Sequence, residues 1–364
     1  MVKPILLCTS LLLLAKGFFA IRFQIDLVKR LSLKSLSDNF AVSPFGVYQA
    51  LSLFYLGKDT RRDVQLARAL RLTGRRHEKI TSYFDKSRQK AVTQEFTLAN
   101  RVYVSPKYNV SEKMKKHGTD FGVDIENIGF SDVEKSKEEI KKWFSKSINK
   151  AGNNLFEKED LTNITEIVAV QGISATTHWK YRFKSMSNML FSVARPNKKP
   201  VSYKAEMMYT VAPLQFFSDD EVRGAMIPFS NTDIGMLVIL PRQKFGTKRI
   251  LQNLDKYLQI PLKKAEDTHL FLPILSFQDT VDLNSVLQEL GIQKLFTSAD
   301  PDRNATVANF KQFNGLQIKP NRVLIYTESG ADDDQRVLKL NKPFAYVIKD
   351  ESTIYMAGRV SLIP

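Results

Sequence analysis

Three stretches of this chain are apolar without alternation: Glu166 to Ala175, Gly235 to Leu240 and Leu270 to Phe277. A strand with one wet face alternates, so unbroken runs imply strands covered on both sides, within a large mixed assembly. Helical spacing lies mostly earlier. Ile25, Val28 and Leu31 share one face between Ile21 and Leu33, and Ser43-Pro44 starts a second helix with Val47, Ala50, Leu51 and Phe54 on its buried side. A third helix, Val133 to Ala151, sets Ile140, Trp143, Phe144 and Ile148 against a Lys/Glu-rich face and stops at Gly152. The pattern is α+β, helices first and strands later.

The chain closes on a predicted hairpin, Phe344 to Ile348 and Thr353 to Val360, joined by the polar turn Lys349-Asp350-Glu351-Ser352. No Pro/Gly/Ser-rich linker and no repeat marks an internal boundary, so residues 21–364 read as one domain. With 43% hydrophobic and 25% charged residues the composition is that of a folded protein.

Lys3 followed by the apolar stretch Ile5 to Ala15 reads as a secretory signal over residues 1–17, cut after Gly17 or alternatively after Ala20. A secreted, extracellular protein is expected. Cys8, the single cysteine, falls inside that signal, leaving the exported chain without a thiol. Asn109, Asn163 and Asn304 lie in N-x-S/T sequons and are the candidate glycosylation sites. The formal net charge is +16, and a strongly basic extracellular protein attracts glycosaminoglycans. No nucleic-acid module is found, and the leading apolar stretch is too short to span a membrane.

His77, His117, His178 and His269 show none of the close spacings of zinc sites, and no metal or cofactor is expected. The common hydrolase, phosphate-binding and dinucleotide signatures are absent, which argues against an enzyme.

The tail VLIYTESG followed by LKLNKPFAYVIKDESTIYMAGRVSLIP resembles the C-terminus of the serpins. Asn39-Phe40-Ala41-Val42-Ser43-Pro44, Leu98-Ala99-Asn100-Arg101-Val102-Tyr103, Ile140-Lys141-Lys142-Trp143, His178-Trp179, Ile239-Leu240-Pro241, Leu272-Pro273 and Leu290-Gly291 follow in family order. The resemblance covers Asn39 to Pro364. It implies the serpin fold, three β-sheets surrounded by eight or nine α-helices, and a bait loop that inserts into the central sheet once a protease cuts it. It also places Lys79, Lys86, Arg88 and Lys90 near the helix that binds heparin in some serpins.

Against that pattern the chain departs where insertion would begin. If Gly330 is the hinge glycine after Glu328, only ten residues, Ala331 to Leu340, precede Asn341-Lys342-Pro343-Phe344. A family-length loop would put the cut near Ala345, inside the hairpin. Small residues are expected after the hinge, yet Ala331 is followed by Asp332, Asp333 and Asp334, and an inserted strand would bury at least one of them. Counting back from Gly330 puts Pro320 where the family has a histidine. Gln171 stands for an asparagine and Gly46 for a serine, so the polar network beneath the sheet reads as dismantled.

The expected protein is therefore a secreted, monomeric, non-inhibitory serpin whose partner is an extracellular protein or small ligand. One alternative is a serine protease inhibitor acting through residues 331–340, with Arg336 preceding the cut. Another is a heparin-like polyanion binder using Lys79, Lys86, Arg88 and Lys90.

Overall fold

The computed structural model describes residues 19–34, 39–57, 64–91, 96–148, 155–156, 160–195, 198–243, 246–297, 306–321 and 336–363. Among them are nine helices: α1 (Phe19–Lys34), α2 (Pro44–Leu56), α3 (Val64–Ala69), α4 (His77–Ala91), α5 (Glu112–Phe121), α6 (Val133–Ile148), α7 (Thr247–Gln252), α8 (Leu254–Leu258) and α9 (Asn284–Glu289). None is long and apolar enough to cross a membrane.

Helix α2 begins where Ser43-Pro44 predicts. The Ser43 hydroxyl accepts the Gly46 amide at 3.2 Å, and Pro44 at the first position has no amide to leave unpaired. All thirteen of its residues are buried, so α2 runs through the core. Helix α6 buries Ser136, Ile140, Phe144 and Ile148, which recur every four residues, and turns its charged face to water.

One sheet has five strands in the order β10-β11-β4-β2-β3: β2 (Phe96–Val104), β3 (Asp124–Asn127), β4 (Ile167–Thr176), β10 (Leu275–Asp282) and β11 (Val307–Ile318). The other has nine. Its path runs through β1 (Phe40–Val42), β14 (Ile354–Val360), β13 (Phe344–Lys349), β8 (Gly235–Pro241), β7 (Val222–Pro228), β6 (Lys198–Ser218), β9 (Glu266–Pro273) and β12 (Val337–Lys339), with β5 (Lys184–Arg195) on β6. The third sheet implied by the resemblance is the β5-β6-β9-β12 half, joined to the rest because β6 is 21 residues long and pairs β7 through Gln215–Ser218.

The apolar run Leu270 to Phe277 is two strands, not one. β9 ends at Pro273 in the nine-stranded sheet and β10 starts at Leu275 in the five-stranded one. Periodicity missed the switch because both strands are apolar where they meet. The closing hairpin forms as read, its turn fixed by the Asp350 carboxylate, which accepts the Ser352 and Thr353 amides at 2.7 and 2.8 Å. At Gly358 a β-carbon would sit 1.8 Å from the Phe40 carbonyl oxygen, so only glycine lets β1 lie this close to β14.

Candidate functional site: the seam of the five-stranded sheet

β4 and β11 are parallel neighbours, paired from Val307 opposite Ile167 to Gln317 opposite Thr176. Any strand added to the middle of this sheet has to separate them. Three sets of side chains lie across that seam.

The inner face is closed by uncharged amides. Gln312 of β11 donates to the Gln171 Oε1 of β4 at 2.9 Å and to the Ser43 carbonyl at 2.9 Å, while its own Oε1 accepts the Ser43 amide at 2.7 Å. Gln171 in turn donates to the Gly46 carbonyl at 2.6 Å and to the Asn100 Oδ1 of β2 at 3.1 Å. Gln312, Gln171 and Ser43 are each no more than 2% exposed. Leaving one such group without a partner costs about 1–3 kcal/mol, so the cluster resists opening.

The network expected to be missing is therefore present. Gln171 and Gly46 both belong to it, but the β11 member is Gln312, whereas Pro320 lies beyond the last residue of β11. Counting back from Gly330 does not use strand register, which sets Gln312 opposite Gln171. The absence of a side chain at Gly46 fits the longer glutamines: a β-carbon there would lie 3.4 Å from both amide heads.

At the end of the seam where β11 finishes, the next residues are tied to the β4 side. The Trp179 indole donates to the Lys319 carbonyl at 2.9 Å, the Trp179 amide to Asn321 Oδ1 at 3.0 Å, and Asn321 Nδ2 to the Trp179 carbonyl at 2.5 Å. Trp179 is fully buried, as core packing predicts. The outer face lies under α6, where Phe144 meets Phe313 with ring centres 5.3 Å apart and leaves no room for a side chain at Gly172. Lys311 of β11, with its side chain 9% exposed, bonds Asp160 at 2.9 Å and Asp282 at 3.3 Å. Burial disfavours its charge, but the two aspartates outweigh that and raise its pKa.

Glu328, Gly330, Ala331, Asp332, Asp333 and Asp334 lie outside the described residues, as does the predicted strand VLIYTESG. Arg336 is described and lies just before β12. Its carbonyl accepts the His269 amide at 2.8 Å where β12 joins β9, and its guanidinium pairs with Glu266 over the Phe216 ring.

The four basic residues of α4 divide into two pairs. Lys79 and Lys86 are exposed. Arg88 caps α5 by donating to the Thr119 and Asp120 carbonyls, both at 3.2 Å, and Lys90 bridges Asp350 and Asp233 at 3.2 and 3.3 Å. Asn109 and Asn163 are exposed; Asn304 and residues 1–17 lie outside the described residues. Ala20, by contrast, is fully buried in α1. Among the described residues no three acidic, histidine or cysteine side chains are grouped to hold a metal ion.

A central sheet with its seam underlain by α2, overlain by α6 and followed by a connection to β12 defines a serpin. The sequence matches the family model described as serpin (serine protease inhibitor) over residues 20–362, and the chain belongs to that family, whose members are mostly inhibitors of serine proteases. It is 24% identical to serine protease inhibitor 42Dd of Drosophila melanogaster over 92% of this chain and 94% of that one. Uncleaved ovalbumin superposes with a TM-score of 0.82 at 21% identity, covering 95% of this chain and 99% of its own. Native protease nexin-1 with heparin superposes at 0.79 and 19% identity, covering 94% and 98%.

Proposed function

We propose that this chain is a secreted serpin that does not trap proteases and works as a binding protein for an extracellular protein or small ligand. What supports the reading is the acidic run Asp332 to Asp334, together with the bonds across the closed seam: Gln312, Gln171 and Ser43 within, and Lys319 and Asn321 tied to Thr177 and Trp179 beyond β11. Loop insertion has to break these bonds before new ones form. The aspartates at 332–334 oppose the same step, because an unpaired carboxylate buried in a sheet costs several kcal/mol.

Loop length does not by itself separate the two readings. The ten residues Ala331 to Leu340 are the loop only if Gly330 is the hinge, and residues 322–335 lie outside the described residues. Length alone therefore keeps the serine protease inhibitor as a second reading. For secretion, cleavage after Gly17 leaves α1 whole, whereas cleavage after Ala20 removes a buried residue.

The test is to incubate the full mature chain with trypsin-like, chymotrypsin-like and elastase-like proteases. The expected result is cleavage with no SDS-stable complex, and a melting temperature after nicking within about 5 °C of the intact value. A covalent complex with active protease, or a much larger rise in melting temperature, overturns the proposal in favour of the inhibitor.

A further inference from the structure

Three cationic side chains meet where β8 ends and β13 begins. Arg223 of β7 lies opposite Leu240 of β8, and β8 in turn pairs with β13 through Ile239 and Ala345. Continuing that second register sets Arg242 opposite Lys342, and the Lys342 ammonium donates to the Arg242 carbonyl at 3.2 Å. Positions 240 and 242 share a face of the strand, so Arg223, Arg242 and Lys342 gather at one side of the sheet end. Arg223 and Lys342 are half-buried and Arg242 is exposed.

Their charge is not neutralised. Burial lowers the pKa of Lys342, Arg223 and Arg242 lower it further, and no carboxylate draws it back. The acids of the adjoining turn between β6 and β7 are committed elsewhere. Asp219 accepts the Glu221 and Val222 amides at 2.7 and 2.8 Å, and Glu221 is bonded by Arg249, Lys256 and Tyr257. Asp220 is exposed and is not among the charges that act on Lys342. Arg242 is held by uncharged oxygens: its Nε donates to the Asp219 carbonyl at 2.6 Å and its Nη2 to the Ser218 hydroxyl at 2.7 Å. Ser218 stands opposite Arg223 on β7. The Arg242 fork is thus oriented without losing its charge, and Nη1 keeps both of its protons for another acceptor.

We propose that Arg223, Arg242 and Lys342 form a binding site for a single tetrahedral oxyanion, a sulfate or phosphate group. Two planar guanidinium forks and an ammonium offer such a group donors on several of its oxygens, and the bound charge would offset the repulsion among the three cations. A long polyanion needs a continuous basic track, and Glu221 interrupts one here by pairing with Arg249 and Lys256. The site uses none of the α4 cations and does not depend on whether the seam opens.

The test is an amide NMR titration of the full chain with sodium sulfate and, separately, with glucose 6-sulfate, ionic strength being held constant with sodium chloride. The wild type is expected to show saturable shifts centred on Arg223, Arg242 and Lys342. Arg223→Gln and Lys342→Gln should each weaken binding roughly threefold or more, while Lys86→Gln on α4 leaves it unchanged. Tighter binding of glucose 6-sulfate assigns the site to an ester group, and equal or weaker binding assigns it to the free ion. No saturable shift with either probe, or wild-type affinity in Arg223→Gln and Lys342→Gln, overturns the proposal. Should one of the two variants fail to fold, the other carries the same outcomes.

Discussion

Gln312 and Asn314 stand two residues apart on the same face of β11, and both amides are closed off from water. Both polar atoms of the Gln312 amide have partners; neither polar atom of Asn314 has one. What lies opposite explains the difference. Gln312 faces Gln171 on β4, whereas Asn314 faces Ile173, and its other neighbour is Asp279 on β10. One strand thus carries a completed polar junction and an incomplete one. A buried amide fastens a sheet only where the opposite strand supplies its partners, and otherwise weakens the place it occupies.

The largest expected effect comes from removing the completed junction. Gln312→Ala leaves the Ser43 amide and Gln171 Oε1 without partners and opens a cavity, which together cost roughly 3–5 kcal/mol. Chemical denaturation of the variant measures this directly. The same variant also tests the proposed function, since a loosened seam should accept a cleaved loop more readily. If Gln312→Ala melts like the wild type, the amide cluster is not what holds β4 to β11.

Next in size is the pH dependence of the incomplete junction. Burial lifts the Asp279 carboxyl to about 6, although the Ala41 amide at 3.1 Å and the charge of Arg359 draw it down. Its folded pKa lies above its unfolded value, so its contribution favours folding at low pH and is lost as pH rises through about 6. Acidification from pH 7 to 4.5 should narrow the stability difference between Asp279→Asn and wild type by about 1–3 kcal/mol. Working with the difference removes the other titrating groups. A difference that does not change with pH means that Asp279 is ionised without cost, and the junction is wetter than its burial implies.

Much of the fold was legible because it follows from apolar periodicity: α1, α2, α6, β4, β8 and the β13-β14 hairpin come from spacing alone. β11 was not. Asn309, Lys311, Gln312, Asn314 and Gln317 interrupt any apolar run there, yet ten of its twelve residues are buried. Partners distant in sequence make that burial tolerable: Gln312 bonds Ser43 across 269 positions and Lys311 bonds Asp160 across the sheet. No local window contains those residues. The polar network was misjudged for the same reason, because an ungapped count cannot locate a residue whose place is set by sheet register. The ring contact of His77 with His117 was equally hidden, the two lying forty positions apart on different helices.

Filling the incomplete junction with an apolar group gives a smaller change of opposite sign. Asn314→Leu keeps the branching and heavy-atom count of the side chain and removes two unpaired polar atoms; its bulkier methyl groups offset part of the gain, so it should stabilise the fold by about 1 kcal/mol at pH 7. A loss of stability in urea unfolding would mean that Asn314 has partners the geometry does not reveal, and the contrast with Gln312 would shrink.

Gly46→Ala should do least, and for that reason it measures how tight the completed junction is. The added methyl would lie 3.4 Å from both Gln171 Oε1 and Gln312 Nε2, and 3.5 Å from the Ser43 hydroxyl, which is ordinary van der Waals contact at its near limit. Alanine favours the helix over glycine, but Gly46 is in the first turn of α2, where that preference is reduced. The two terms nearly cancel, and a change within about 0.5 kcal/mol is expected in thermal or urea unfolding. A loss beyond about 2 kcal/mol would show that the glutamine heads cannot move by even a few tenths of an ångström. The seam would then be held by shape as well as by hydrogen bonds, and a larger residue at position 46 would be excluded by the glutamines themselves.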